Sequence, residues 1–203
     1  MKPSAQLLIV DDDPALRLML KSILEQHHFQ VKLAGDTEEA LAVLASSTGI
    51  EVVLLDLGLP PHPHEIREGM ALLTHMQSML MAMKIIVLTG QDHSEAALAA
   101  IREGAFDFLA KPASAESIVS SVRRALLFLQ AERELGALGI TRIALNAQVK
   151  AGLKGVRVDA EERLVRQVLK ETGFNVNQSA KRLGVKRENI YYFLKKFGIV
   201  RDA

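Results

Sequence analysis

The stretch that most limits what this chain can become is Val52-Val53-Leu54-Leu55, four aliphatic residues in a row that end in one acid, Asp56. A strand with one wet face alternates apolar and polar side chains. A short unbroken aliphatic run reads instead as a strand covered on both faces, the arrangement of parallel sheets. Gly58 and the paired Pro60-Pro61 then turn the chain into loop. Asp56 therefore sits where a buried strand opens to solvent, a place from which a carboxylate can cap a turn, hold a cation or react.

The same texture recurs. Gln6–Val10, Gln30–Leu33, Ile85–Thr89 and Asp107–Ala110 are the other predicted strands. Between them lie amphipathic stretches predicted as helices: Pro14–Gln26, Thr37–Ala45, Gly69–Met79, Ser94–Arg102 and a last one from about Ser114 towards Leu135. Pro14 behind Asp13, and Thr37 followed by two glutamates, are sound helix starts. Five strands alternating with five helices predict an α/β fold, a parallel sheet with helices on both faces. After Leu135 the period is lost among Gly136, Gly139, Gly152 and Gly155, and it returns at Asp159, a good cap, with Glu161 and Glu162 as the acidic first turn of a helix to about Glu171. The expected organisation is an α/β domain over 1–135, a linker over 136–158 in which Thr141–Lys150 is a weak helix candidate, and a small helical domain over 159–203.

Composition excludes several classes. The chain has no cysteine, which rules out disulfides and thiolate metal sites. The longest early apolar run, Leu7–Val10, is too short for a signal peptide or membrane span, so the expected location is cytoplasmic with no membrane partner. The formal charge is only +1, but from Gly173 onward seven bases face two acids, giving +5 there and about −4 elsewhere. That asymmetry points to nucleic acid as a partner of the tail.

Ligands of open α/β sheets gather beyond the carboxyl ends of the strands. Those ends hold Asp11-Asp12-Asp13, Asp56, Thr89-Gly90 and Lys111-Pro112. Neighbouring carboxylates raise one another's pKa unless a cation offsets them, and hard oxygen ligands with room for water suit Mg2+. Lys111 adds a second positive charge and Thr89 a hydroxyl donor. Such a site suits a phosphoryl group beside a carboxylate nucleophile, because phosphoryl transfer rests on positioning and charge neutralisation.

The pieces "LLIVDDDP", "VVLLDLGLP", "IIVLTG" and "FLAKP", in this order, resemble the receiver domain of two-component response regulators over roughly residues 5–130. The resemblance implies a flavodoxin-like sheet of order 2-1-3-4-5 and a cis Lys111–Pro112 peptide. It makes Asp56 the acceptor of phosphate from a cognate histidine kinase, Asp11, Asp12 and Asp56 with the Gly58 carbonyl the Mg2+ site, and Thr89 and Lys111 the phosphoryl contacts. It implies a phosphoacceptor rather than an enzyme, with at most self-catalysed phosphotransfer and dephosphorylation. Phe108 takes the switch position, where the family often has Tyr and a hydroxyl to bond. A haloacid-dehalogenase-type phosphatase shares the acid, Thr and Lys but needs a second acid two residues after the nucleophile; position 58 is Gly. The loop "PPHPHEIREGM" is longer than usual, and His62, His64 and Glu65 in it are candidates for a metal or a partner contact, beside the reading as plain surface loop.

In the tail, Ile190, Phe193, Leu194 and Phe197 recur at helical spacing behind Gly184, with Asn177–Leu183 and Lys186–Phe197 as the two helices. "AKRLGV" and "LKKFGI" resemble the Fis-type helix-turn-helix of bacterial regulators. The resemblance implies that Lys186, Arg187 and Asn189 begin a recognition helix facing bases and phosphates, with Tyr191, Tyr192, Lys195 and Lys196 along it. The tyrosines stand where the family has bases, so a shallow salt dependence is expected. Many regulators with both modules carry an ATPase between them; the 136–158 linker has no room for one and no Gly-rich phosphate loop is present. The expected function is a homodimeric, DNA-binding response regulator controlling transcription by direct contact. The alternative is a phosphorylated interaction protein whose tail dimerises or binds a protein.

Overall fold

The computed structural model describes residues 4–47, 49–79, 82–90, 94–138 and 152–199. The chain divides into two compact units, Met1–Glu134 and Leu135–Ala203. The first holds five strands, β1 (Gln6–Val10), β2 (Gln30–Ala34), β3 (Ile50–Asp56), β4 (Lys84–Thr89) and β5 (Asp107–Ala110). They alternate with α1 (Pro14–Gln26), α2 (Thr37–Ser46), α3 (Arg67–Ser78), α4 (Ser94–Arg102) and α5 (Ala115–Ala137). All strand pairs are parallel, as the alternation of strands and helices predicts, and the sheet order is 2-1-3-4-5, the order the receiver resemblance implies.

Period-two alternation sorts the aliphatic strands between two cores. Leu8, Val10, Val53, Leu55, Ile85 and Val87 face α2, α3 and α4, packing on Leu44, Leu72, Met76 and Ala100. Leu7, Ile9, Val52, Leu54, Ile86 and Leu88 face α1 and α5, packing on Leu20, Leu24, Ile118 and Val122. Leu54 and Leu55 thus lie on opposite faces and both are fully buried, which is why the run carries no polar residue. Each such side chain contributes roughly 1.5–3 kcal/mol of burial free energy. Asp13 caps α1 by accepting from the Ala15 and Leu16 amides at 2.8 and 3.2 Å, behind Pro14 at the first position. Asp36 caps α2 from the residue before Thr37, accepting from the Glu39 amide at 2.8 Å.

The second unit holds α6 (Gly152–Glu171), α7 (Val176–Leu183) and α8 (Arg187–Lys196), closed on Val165, Leu169, Ala180, Ile190, Phe193 and Ile199. α6 begins at Gly152, before the Asp159 start that its acidic first turn suggests. Asp159 lies inside α6 rather than capping it, and its carboxylate takes the Arg163 guanidinium one turn on, at 3.1 Å, an i,i+4 pair of the helix surface. The weak helix candidate Thr141–Lys150 lies outside the described residues. Among the described residues, no helix is long and apolar enough to cross a membrane.

Candidate phosphoryl site and recognition helix

The parallel sheet delivers the first unit's acids to one place. β1 and β3 are hydrogen-bonded neighbours, with Val10 in register with Leu55, so Asp11 and Asp56 leave the sheet side by side. Carboxylate oxygens of Asp11, Asp12 and Asp56 all lie within 4.8 Å of one another. Asp11 is fully buried, Asp56 is 9% exposed, and Asp12 is the more open of the three. β5 supplies the counter-charge from its end: Lys111 Nζ reaches Asp11 Oδ2 at 2.7 Å and Asp56 Oδ2 at 2.6 Å. Backbone donors take the other oxygens, the Asp13 amide on Asp11 Oδ1 at 3.0 Å and the Gly58 amide on Asp56 Oδ1 at 3.2 Å. The Lys111–Pro112 peptide that follows is cis.

One ammonium among three acids leaves the cluster net negative. Burial pushes the Asp56 carboxyl above the ordinary aspartate range, with Asp11 adding to the rise, against the hydrogen bond and charge of Lys111 and the Gly58 amide. Burial works against the Lys111 ammonium, but its bonds to Asp11 and Asp56 carry it above the ordinary lysine range. An oxygen-only donor set with excess negative charge and one open member fits a hard divalent cation.

Thr89 closes β4, paired in register with Ala110; its side chain lies outside the described residues. Phe108 in β5 is 44% exposed, the ring turned out to solvent. His62, His64 and Glu65 are exposed and join no group with metal-ligand spacing among the described residues. Arg17, which no motif in the sequence singles out, donates its guanidinium to the Asp11 carbonyl and lies against Gly35. Only its place one turn into α1, behind the acids, hinted at that reach.

In the second unit, Gly184 ends α7 in the left-handed region at φ 65°, and α8 follows. Ile190 and Phe193 point inward; Lys186, Arg187, Asn189, Tyr191, Tyr192, Lys195 and Lys196 are all exposed. Lys186 is the residue before α8, with no side-chain cap bond. The Arg187 guanidinium donates to the Tyr191 hydroxyl at 3.2 Å. Lys196 is held by Glu161 of α6 and lies 5.6 Å from the centre of the Tyr192 ring. The Glu161 bond raises the Lys196 ammonium above the ordinary lysine range. The basic face is thus present, with Lys196 already engaged.

Residues 7–123 match the response regulator receiver domain, and residues 157–197 match the Fis family of bacterial regulatory proteins. The chain belongs to the response regulator receiver family, and its second unit carries a Fis-family helix-turn-helix. Among curated proteins it is similar to the nitrogen assimilation regulatory protein NtrX of Azorhizobium caulinodans, 32% identical over 65% of this chain and 28% of that protein. It is similar also to the DNA-binding transcriptional regulator NtrC of Salmonella typhimurium, 31% identical over 62% of this chain and 26% of that protein. The matches therefore span only about a quarter of those relatives. Among solved structures, NtrX from Brucella abortus is similar with TM-score 0.61 and 30% identity, over 66% of this chain and 30% of that one. A receiver domain protein from Clostridium thermocellum is similar with TM-score 0.57 and 27% identity, over 63% of this chain and 98% of that one.

Proposed function

We propose that this chain is a transcription regulator that a histidine kinase phosphorylates on Asp56 and that binds double-stranded DNA through α8. The observation that carries the reading is the meeting of Asp56 with Lys111 and two further acids at the strand ends of a receiver-family sheet. Asp11, Asp12, Asp56 and the Gly58 carbonyl hold Mg2+, which, when bound, neutralises charge on the transferring phosphoryl group. Asp56 is the nucleophile, Lys111 pairs with a phosphoryl oxygen, and the Thr89 hydroxyl takes another. The added charge shifts Thr89 and then Phe108, whose outward ring lies on β5. That shift changes homodimer pairing and brings two α8 helices onto half-sites about 34 Å apart.

Lys186, Arg187 and Lys195 neutralise phosphates, and Asn189, Tyr191 and Tyr192 face the groove. The exposure of Tyr191 and Tyr192, 50% and 59%, also favours a second reading in which this face meets a protein. Fluorescence anisotropy with mixed-sequence duplexes, at several salt concentrations and with or without beryllofluoride and Mg2+, separates the two. Salt-dependent binding that tightens with the mimic supports the regulator. No binding at low salt overturns the DNA assignment and leaves the protein-contact reading.

A further inference from the structure

The long loop after β3 is tethered rather than hanging free. Its two ends are joined by the Gly69 amide donating to the Leu57 carbonyl at 3.3 Å. They are so close that a Cβ on Gly69 would stand 2.3 Å from Leu57 Cα. Leu59 is fully buried near the start, Ile66 packs on the core near the end, and the Glu65 amide closes a turn on the His62 carbonyl at 2.9 Å. Joined ends, inward anchors and an internal turn define a compact Ω-type loop, a kind that is often functional. Its inward side reaches Gly58, next to the acidic site. A Cβ on Gly58 would stand 2.4 Å from the Pro63 carbonyl oxygen and 3.8 Å from Asp56 Oδ2. The space that a side chain at position 58 would fill, beside the Asp56 carboxylate, is filled by the Pro63 carbonyl instead.

We infer that residues 60–66 shield Asp56: by seating the Pro63 carbonyl on Gly58, the loop closes one approach for water and lengthens the life of a phosphoryl group carried there. The inference rests on the phosphoacceptor reading above. Hydrolysis of an aspartyl phosphate forms a bond from a water oxygen to phosphorus and breaks the bond from phosphorus to Asp56 Oδ. The electron pair returns to the carboxylate, and the water's proton leaves with inorganic phosphate. The attacking water must arrive in line, opposite the departing carboxylate oxygen. The Pro63 carbonyl, seated on Gly58 beside Asp56, crowds the rim of the site and limits how many waters can enter it and reach that line. His62, His64 and Glu65 are exposed and take no part in this packing on Gly58.

The test charges the full chain with acetyl phosphate and Mg2+, removes the donor, and follows the aspartyl phosphate by phosphate-affinity electrophoresis. A chain lacking residues 61–64 should take the same amount of label and lose it on the order of tenfold faster, as a modest fall in barrier dictates. Ile66→Ala, which frees the loop's far anchor, should shorten the half-life in the same direction by roughly threefold, and it alone decides if the shortened chain does not fold. His62→Ala with His64→Ala should leave the half-life unchanged. Half-lives within twofold of the parent in the loop variants, or a shortened half-life in the histidine variant, would overturn the shield. If the parent takes no more label than Asp56→Asn, the phosphoacceptor reading itself fails and the inference goes with it.

Discussion

Lys111 Nζ stands 2.6 Å from Asp56 Oδ2, a buried ion pair across the ends of two strands that are not neighbours in the sheet. Asp11 shares the same ammonium, so removing it leaves two buried carboxylates facing each other. Lys111→Met should therefore destabilise the metal-free first unit by about 3 kcal/mol, the low end for breaking a buried pair, since Lys111 is 25% exposed. Urea unfolding of the variant beside the parent in EDTA checks this; equal midpoints would mean that the lysine is not the cluster's counter-charge.

The raised Asp56 pKa fixes the sign of a pH effect in the absence of metal. The folded chain keeps a proton that the unfolded chain releases near 3.8, so stability falls as pH rises from there through the raised folded value. Asp56→Asn has no such proton to lose. Its stability relative to the parent should climb over that window and then level off. Lys111 acts at the other end: its raised pKa contributes stability that is full below 10.5 and is lost as pH rises through the folded value. Urea midpoints of parent and variant taken across both windows measure the two effects.

Much of this is legible in the amino-acid sequence. The strands were readable because a sheet covered on both faces admits no polar residue within Val52–Leu55, and a cap such as Asp13 with Pro14 signals itself locally. The strand order came from resemblance, since periodicity says nothing about which strand lies beside which. α6 begins at Gly152 although Asp159 suits a cap, because the same Asp159 carboxylate serves equally well as the partner of Arg163 inside a helix. The reach of Arg17 to the Asp11 carbonyl, the capture of Lys196 by Glu161 and the seating of Pro63 on Gly58 depend on how separate segments meet. Apart from Arg17's place one turn behind the acids, no local pattern encodes such meetings.

A divalent cation should stabilise the cluster by mass action. At a free Mg2+ concentration a hundredfold above its dissociation constant, the first unit should gain about 2.7 kcal/mol. Asp12→Asn should weaken that gain while leaving the metal-free protein nearly as stable as the parent, because Asp12 is the open member of the three acids. Thermal unfolding with increasing Mg2+ reads both, and a parent indifferent to Mg2+ would remove the metal from the proposed chemistry.

Two glycines test packing against backbone conformation. A Cβ at Gly184 meets nothing within 4 Å, so Gly184→Ala costs only its left-handed φ of 65°, about 1 kcal/mol. Gly69 has the opposite problem. A Cβ there would run into the Leu57 backbone at 2.3 and 2.6 Å, which cannot swing aside as a side chain can, so Gly69→Ala should cost about 3 kcal/mol. Unfolding followed separately for the two units should show each variant lowering the stability of its own unit.

The engagement of Lys196 makes a distinction among the bases in α8 and at its start. A phosphate contact by a free cation contributes about 0.9 to the slope of log affinity against log salt. Lys186 and Arg187 make no ion pair to an acid among the described residues, so replacing both with Ala should flatten the slope by roughly 2. Lys196 already has Glu161 as its partner, and a cation that must leave a carboxylate to meet a phosphate releases less. Lys196→Ala should therefore flatten the slope by roughly half a unit or less, and Glu161→Gln, which frees the ammonium, should steepen it by a similar amount. Anisotropy titrations of the four proteins on one duplex decide the matter: an equal loss of slope per residue at 186, 187 and 196 would mean that Glu161 releases Lys196 on binding, and no slope in any of them would place the partner of this face outside nucleic acid.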